Sequence, residues 1–402
     1  MTRDYRIGKI CRYIKILAVT LLIFSPLSNA AWVDNSPELA RGDVTDFALA
    51  PSLPARVIAT VEGAAQRGVW TSFNSGTNLT WTRQLSTTGQ SYNGAAIKAD
   101  DFLFMLAGVL NGEIEISADG FNSRGPTTNS ASHISWIIEY SLSAFDTVYA
   151  AGNSGGLTGG TLQKSIDAGN NWVAFDVGGD ANPPLFSLAI APTDANTVYV
   201  GAQPDGASNG LYKTTDGAVN WTYLPALNFT QVDAVAVDPV DLDYVYAGTE
   251  VSGQIQRSSD GGVSWAVVHD PDPNNGGVTG FTRVLGLAIN LADRRIIYAV
   301  GGSGSIKVIA STDCGVSWAN VDSTGLVSGL PDKVVIDSIN NYVMVHTNTG
   351  FMYREALLTT ATGDCIANPG APDGDGGAFD YLLLGMLMLI GVVRYRTRRI
   401  SA

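Results

Sequence analysis

Ser165-Ile166-Asp167-Ala168-Gly169-Asn170-Asn171-Trp172 is the stretch on which the chain is built. It returns as Ser258-Ser-Asp260-Gly-Gly262-Val-Ser-Trp265 and as Ser311-Thr-Asp313-Cys314-Gly315-Val-Ser-Trp318. A fourth copy, Thr214-Thr-Asp216-Gly-Ala218-Val-Asn-Trp221, puts Thr for Ser and Ala for the second Gly. Two fainter echoes lie upstream. Ser117-Ala-Asp119-Gly-Phe121 lacks the Trp; Ser72-Phe-Asn74-Ser-Gly76 has Asn for Asp, and its Trp81 comes two residues late. The acidic or Asn position falls at 74, 119, 167, 216, 260 and 313, in steps of 45, 48, 49, 44 and 53 residues. A period in that range marks a repeat architecture.

Each octet reads as a hairpin turn. Ser and Asp side chains accept hydrogen bonds from nearby backbone N–H groups and hold the chain in a tight reversal. Gly supplies a backbone conformation that other residues resist. Trp, five residues after Asp, opens the return strand and packs its ring on the turn. The same acid four times at even spacing reads as a staple for the turn and not as catalytic machinery or a calcium ligand.

The octet resembles the Asp-box, or bacterial neuraminidase repeat, of β-propellers in sialidases, sortilin-type receptors, some glycoside hydrolases and photosystem assembly factors. The resemblance implies an all-β propeller. It does not select a function, because those relatives do different things. The residues carrying it are Ser165, Asp167, Gly169 and Trp172; Thr214, Asp216 and Trp221; Ser258, Asp260, Gly262 and Trp265; Ser311, Asp313, Gly315 and Trp318.

Around each octet the same sequence of elements recurs. An inner apolar strand (Leu185–Pro192, Val232–Pro239, Arg283–Asn290) is followed by an Asp/Asn/Pro turn. A β-branched and aromatic strand comes next, then a Gly-rich loop, then a strand ending in the octet; these are strand signals. Units span roughly 46–81, 92–125, 133–172, 185–221, 232–265 and 283–318. A seventh, 333–354, has three strands and no octet. Seven blades is therefore the expectation, with six blades plus an extra hairpin as the alternative. Closure is expected to pair a segment before residue 46 with blade seven, or else to use residues 355–362.

The ends have a different character. Residues 1–30 combine Arg3, Arg6, Lys9, Arg12 and Lys15, an apolar run from Ile16 to Phe24, and Ser28-Asn29-Ala30 before a cut, which reads as a secretory signal peptide. The propeller then occupies 31–362, and residues 363–377, rich in Gly, Pro and Asp, form a linker. In 378–402, Tyr381 to Val393 is an unbroken apolar stretch of 13 residues, followed by Arg394, Arg396, Arg398 and Arg399. Gly376-Gly377, an apolar helix and an Arg cluster together resemble the GlyGly-CTERM sorting signal of Gram-negative bacteria. That resemblance implies cleavage by a rhomboid-type sorting protease and delivery to the cell surface. The alternative is a permanent tail anchor, with the propeller facing the periplasm and the Arg cluster cytoplasmic.

Charge narrows the partners. The formal net charge is −13. The first 30 residues carry net +4 and residues 378–402 net +3, so residues 31–377 carry −20. Such a body repels phosphate backbones, and nucleic acid is not an expected partner. Of the three Cys, Cys11 lies in the leader; Cys314 and Cys365 could form one bridge in an oxidising compartment, or remain one buried and one free thiol.

In such a ring the expected binding face is formed by loops 152–161, 202–209, 248–253 and 301–305 and the interblade segments 174–184, 222–231, 266–282 and 319–331, with the octets on the other face. Sialidase chemistry needs an arginine triad and a Tyr–Glu pair; Arg283 opens an inner strand, but no second and third partner stands out. Asp205, Glu250, Asp270 and Asp272 lie in these loops without a spacing that pairs them as glycosidase acids. The run His269–Gly277 offers oxygen ligands but lacks EF-hand spacing. His133, His269 and His346 fall in separate blades with no metal-ligand spacing. No catalytic, metal or cofactor residue is assigned. The expectation is an exported propeller that binds a protein, peptide or glycan on its loop face, with a glycoside hydrolase or an envelope assembly factor as alternatives.

Overall fold

The computed structural model describes residues 31–36, 43–51, 56–63, 65–72, 79–86, 91–123, 125–129, 134–153, 160–178, 183–203, 210–224, 231–250, 253–271, 281–302, 306–326, 329–358, 361 and 365. These form seven antiparallel sheets of four strands each, with no helix among the described residues. The innermost strands are Val44–Leu49, Tyr92–Ile97, Ile134–Tyr140, Leu185–Ile190, Val232–Val237, Val284–Ile289 and Pro331–Asp337, and each packs on the next to close a ring. The fold is a seven-bladed β-propeller, and the alternative of six blades plus a hairpin is ruled out.

Closure uses the N-terminal segment. Strand Val33–Asp34 pairs antiparallel with Met352–Ala356 and becomes the outer strand of blade seven. Trp32 is buried beside it, donating Nε1–H to the Asp322 carbonyl at 2.7 Å. Residues 355–356 belong to the third strand of that blade, so they do not supply the outer one.

Burial explains the middle strands. Val198–Ala202, Val245–Thr249 and Ile297–Gly301 are buried throughout, between neighbouring blades, and their β-branched runs suit a pleated surface covered on both sides. Tyr149, Tyr199, Tyr246 and Tyr298 repeat at the second residue or next to it and are completely buried. Their hydroxyls reach the next blade: Tyr199 donates to the Gly261 carbonyl at 3.0 Å and Tyr246 to that of Cys314 at 2.8 Å. A buried phenol needs such a partner.

The octets make one repeated turn. In blade three the Ser165 hydroxyl donates to Asp167 Oδ1 (2.7 Å) and accepts from Gly169 N–H (2.8 Å), while Asp167 Oδ1 accepts from Asn171 N–H (2.8 Å). Ser258–Asp260, Ser311–Asp313 and Thr214–Asp216 repeat the pattern, as does Ser117–Asp119 in the echo without Trp. Two successive positive φ values make the reversal, at Ala168 (61°) and Gly169 (98°) and likewise at Cys314 (60°) and Gly315 (76°). Phe121 takes the second of these positions at 61°, against the usual preference of a bulky residue. The Asn74 echo lies outside the described residues.

Blade seven has no octet. Its third strand ends at Ala356, after which Leu357 N–H bonds the Asn341 carbonyl (2.8 Å) and Leu358 N–H bonds the Tyr298 hydroxyl (3.0 Å). Leu358 and Ala361 pack on the core shared by blades six and seven, and Cys365 is disulfide-bonded to Cys314 in the blade-six octet, with Cα atoms 5.4 Å apart. The chain thus crosses back from blade seven to blade six on the octet face. Apart from Cys365, the expected leader, linker and terminal apolar helix (1–30, 363–377 and 378–402) lie outside the described residues. Among the described residues no helix is long and apolar enough to cross a membrane.

Candidate functional site at the loop face

The end of the ring opposite the octets is shaped by one repeated irregularity. Every inner strand carries a register shift near its start, so that Thr45, Asn93, Trp136, Phe186, Asp233, Leu285 and Asp332 are each extra to the ladder. Bulges of this kind re-aim a side chain and increase local twist. All seven shifts fall at the loop-face end of the innermost strands.

The polar members are engaged by neighbours. Arg283 holds Asp233 in a two-point contact, Nε to Oδ2 at 2.7 Å and Nη2 to Oδ1 at 3.2 Å, and its Nη1 lies 3.3 Å from Glu250. The lone arginine opening an inner strand is therefore matched by two carboxylates. Asp332 contacts His346 Nδ1 at 2.5 Å, and His346 Nε2 lies 2.9 Å from the Val44 carbonyl. Both partners offer acceptor oxygens, an arrangement that favours the protonated ring. Burial opposes that charge, but the Asp332 carboxylate outweighs it and raises the His346 pKa. Lys333 reaches Asp46 Oδ1 at 2.6 Å and the Phe47 carbonyl at 2.7 Å, joining blade seven to blade one. On the innermost strand of blade three, burial pushes Glu139 up to about 7, although Lys333 favours its charged form.

A cleft of about 290 Å3 opens at this face between blades seven and one, lined by Asp43, Val44, Thr45, Glu62, Gly63, Asn348 and Gly350. Asp43 precedes the first strand of blade one and Glu62 follows the second, and Glu62 N–H bonds the Asp43 carbonyl at 2.9 Å. The Asp43 carboxylate lies over Gly63, where an added Cβ would fall 1.8 Å from Oδ2. Glu62 is exposed and Asp43 half-buried. Sequence reading passed over this pair; the available signal is an acid at the loop-face end of two adjacent strands.

Of the acids expected on this face, Glu250 and Asp270 are described. Glu250 meets Arg283, while Asp270 Oδ2 accepts from Gln254 at 3.3 Å. Asp205 and Asp272 lie outside the described residues, as do most of the expected loops and His133. His269 is buried against Phe281 and Trp318, and burial lowers its pKa to about 4. Among the described residues no group of three or more His, Cys, Asp or Glu could hold a metal ion.

No family model matches the chain. It is similar to a xyloglucanase of Hypocrea jecorina (strain QM6a), 27% identical over 184 residues, which is 43% of this chain and 18% of the enzyme. The match therefore spans less than a fifth of the length of that relative. Among solved structures, YCF48 bound to D1 peptide superposes with a TM-score of 0.60 at 14% identity, covering 83% of this chain and 99% of that one. An ancestral GH74 enzyme superposes with a TM-score of 0.60 at 17% identity, covering 81% of this chain and 48% of the enzyme.

Proposed function

We propose that this chain is an exported, non-catalytic binding protein of a bacterial envelope or surface, taking a protein or peptide segment across its loop face. The observation that carries this reading is the pairing of charge at the loop-face end of the innermost strands. Asp46, Asp233 and Asp332 each answer a cation from the ring itself. A catalytic site built there would have to break those contacts, whereas a binder can use the surface around them. The comparison with YCF48 supports the reading, because one ring matches almost the whole of a chain solved with a bound peptide. Exposed Glu62 and half-buried Asp43 would favour cationic groups on the partner.

A second reading rests on the cleft between blades seven and one. Asp43 and Glu62 are two carboxylates on adjacent strand ends, and glycoside hydrolysis needs such a pair. The xyloglucanase likeness favours it, while the small share of the enzyme that is matched weighs against it.

One comparison separates the two. The full-length chain is assayed on xyloglucan and probed against peptide and glycan arrays, beside Asp43→Asn and Glu62→Gln. The binder reading expects peptide capture and no release of reducing ends above buffer. Reducing-end release that both substitutions abolish would overturn it in favour of the hydrolase.

A further inference from the structure

Three of the inner strands begin with the same contact. The carbonyl of the residue ahead of the bulge accepts a hydrogen bond from the preceding blade. Thr45 Oγ1 donates to the Tyr92 carbonyl at 2.6 Å, and Ser187 Oγ to that of Val232 at 3.2 Å. At Val44 a histidine takes the place of the hydroxyl: His346 Nε2 lies 2.9 Å from the carbonyl. A Ser or Thr hydroxyl keeps its proton at every pH a folded protein meets. An imidazole carries a proton on both nitrogens only while it is charged.

This change of donor falls on the seam where the ring closes. Blade seven holds both backbone groups of Val44, the N–H through the Gly350 carbonyl at 3.3 Å and the carbonyl through His346. Val44 and Gly350 also line the cleft at this seam. His346 itself is buried, with Nδ1 2.5 Å from Asp332. Charged groups surround it on each side. Asp332 and Lys333 lie on the first strand of its own blade, Lys333 directly opposite the histidine. Arg354 lies on the third strand, stacked over Tyr342. Blade one contributes Asp46, which binds Lys333, and Asp43 and Glu62 in the cleft. Burial opposes a charge on the ring; Asp332, the Val44 carbonyl and Asp46 outweigh it.

A neutral ring keeps one proton. If that proton stays on Nδ1, against the Asp332 carboxylate, Nε2 turns a lone pair on the Val44 carbonyl. If it moves to Nε2, the lone pair meets the carboxylate instead, which is worse. Loss of the charge therefore converts the Val44 contact from attraction to repulsion. We propose that His346 is a proton-operated clasp on the closing seam: charged, it holds the Val44 end of blade one against blade seven; neutral, it releases that end and widens the cleft. Lys333 keeps its hold on Asp46 and the Phe47 carbonyl, and Trp81 Nε1 its bond to the Asn35 carbonyl at 2.8 Å. The two blades thus stay joined, and the movement is confined to the loop-face end. The clasp involves no ligand, so it stands or falls separately from the binding reading.

The test is hydrogen exchange of the full-length chain across pH 6 to 9, corrected for the intrinsic rate of each amide, with the His346 ring followed by NMR in the same samples. Protection of the Val44 amide is expected to fall at least about tenfold as the ring loses its charge, the loss of one hydrogen bond from a charged donor. The Leu110 amide, bonded to the Ser91 carbonyl at the loop-face end of blade two, is expected to keep its protection. His346→Gln is expected to abolish the pH dependence at Val44, and Asp332→Asn to move it to lower pH together with the ring. A ring that titrates while Val44 protection stays unchanged overturns the inference. So does a ring that fails to titrate in this range, an equal loss at Leu110, or a transition that Asp332→Asn leaves in place.

Discussion

The Nζ of Lys213 donates to the carbonyl of Gly261, one blade further on, at 2.8 Å. Lys164 does the same to Gly217 at 3.1 Å and Arg257 to Cys314 at 3.0 Å. In each case the cation immediately precedes the Ser or Thr of its own octet and ties that turn to the fourth position of the next. Tyr199 shares the Gly261 carbonyl, so this oxygen is a junction between blades four and five. Lys213→Met keeps the aliphatic stem and removes the donor. It is expected to lower stability by about 1 kcal/mol, read as a lower unfolding midpoint in urea with unchanged slope.

Acid should loosen the octets together. The Asn220 backbone and side-chain N–H groups and the Thr214 hydroxyl hold Asp216 down to about 2. Burial alone would raise Asp167 and Asp260, yet hydrogen bonds from Asn171 and Ser264 keep both below the usual carboxylate range. A depressed carboxylate stabilises above its unfolded value of about 4, and that contribution disappears as pH falls toward 2. The melting temperature is expected to drop steeply between these values. Asp216→Asn should flatten part of the slope, and an unchanged slope would count against the turn account.

At any of these turns, Asp260→Ala is expected to cost about 1 kcal/mol, as loss of a comparable helix-capping side chain does. Ligand capture by the folded variant should be unaffected, because the octet lies on the face opposite the loops. Lost affinity at an unaltered melting temperature would refute this.

His346 predicts the opposite pH trend. Its pKa is raised in the folded chain, so its contribution is complete below the unfolded value of about 6.5. It fades as pH rises through the folded value. Chemical denaturation across pH 6 to 9 should show declining stability that His346→Gln removes, with the variant weaker than the parent at pH 6.

The strap and the N-terminal strand seal the same pair of blades. Removing the Cys314–Cys365 bond, which spans 51 residues, is expected to cost roughly 2–4 kcal/mol. Trp32→Ala empties a buried indole site and should cost about 3–5 kcal/mol. Calorimetry of each variant reads both numbers, and neither should alter the number of blades.

Much of the ring was legible because a turn needs particular residues at particular places. Ser or Thr two residues before Asp marked four octets and the fainter echo Ser117–Phe121, and the structure forms the same turn at all five. The count of blades followed from apolar runs bounded by turns. The staples from Lys164, Lys213 and Arg257 were also written in the sequence, as a cation before Ser or Thr, but their partners lie one blade away. The seven bulges left no such trace, since Thr45, Asn93, Phe186, Asp233 and Leu285 have no side-chain property in common. Their cause is the shape of a closed ring. Asp43 and Glu62 illustrate the same limit: acids 19 positions apart become neighbours only when two strands pair.

The pairing of Val33–Asp34 with Met352–Ala356 joins the earliest residues of the ring to nearly the last. A ribosome makes these partners more than 300 residues apart, and contacts of such separation form late. Six blades can assemble during synthesis, but the Trp32 segment has to wait for the final sheet. Until then blade seven lacks its outer strand and exposes an open edge. The interval before that edge is covered is when the chain is most vulnerable to joining another copy of itself.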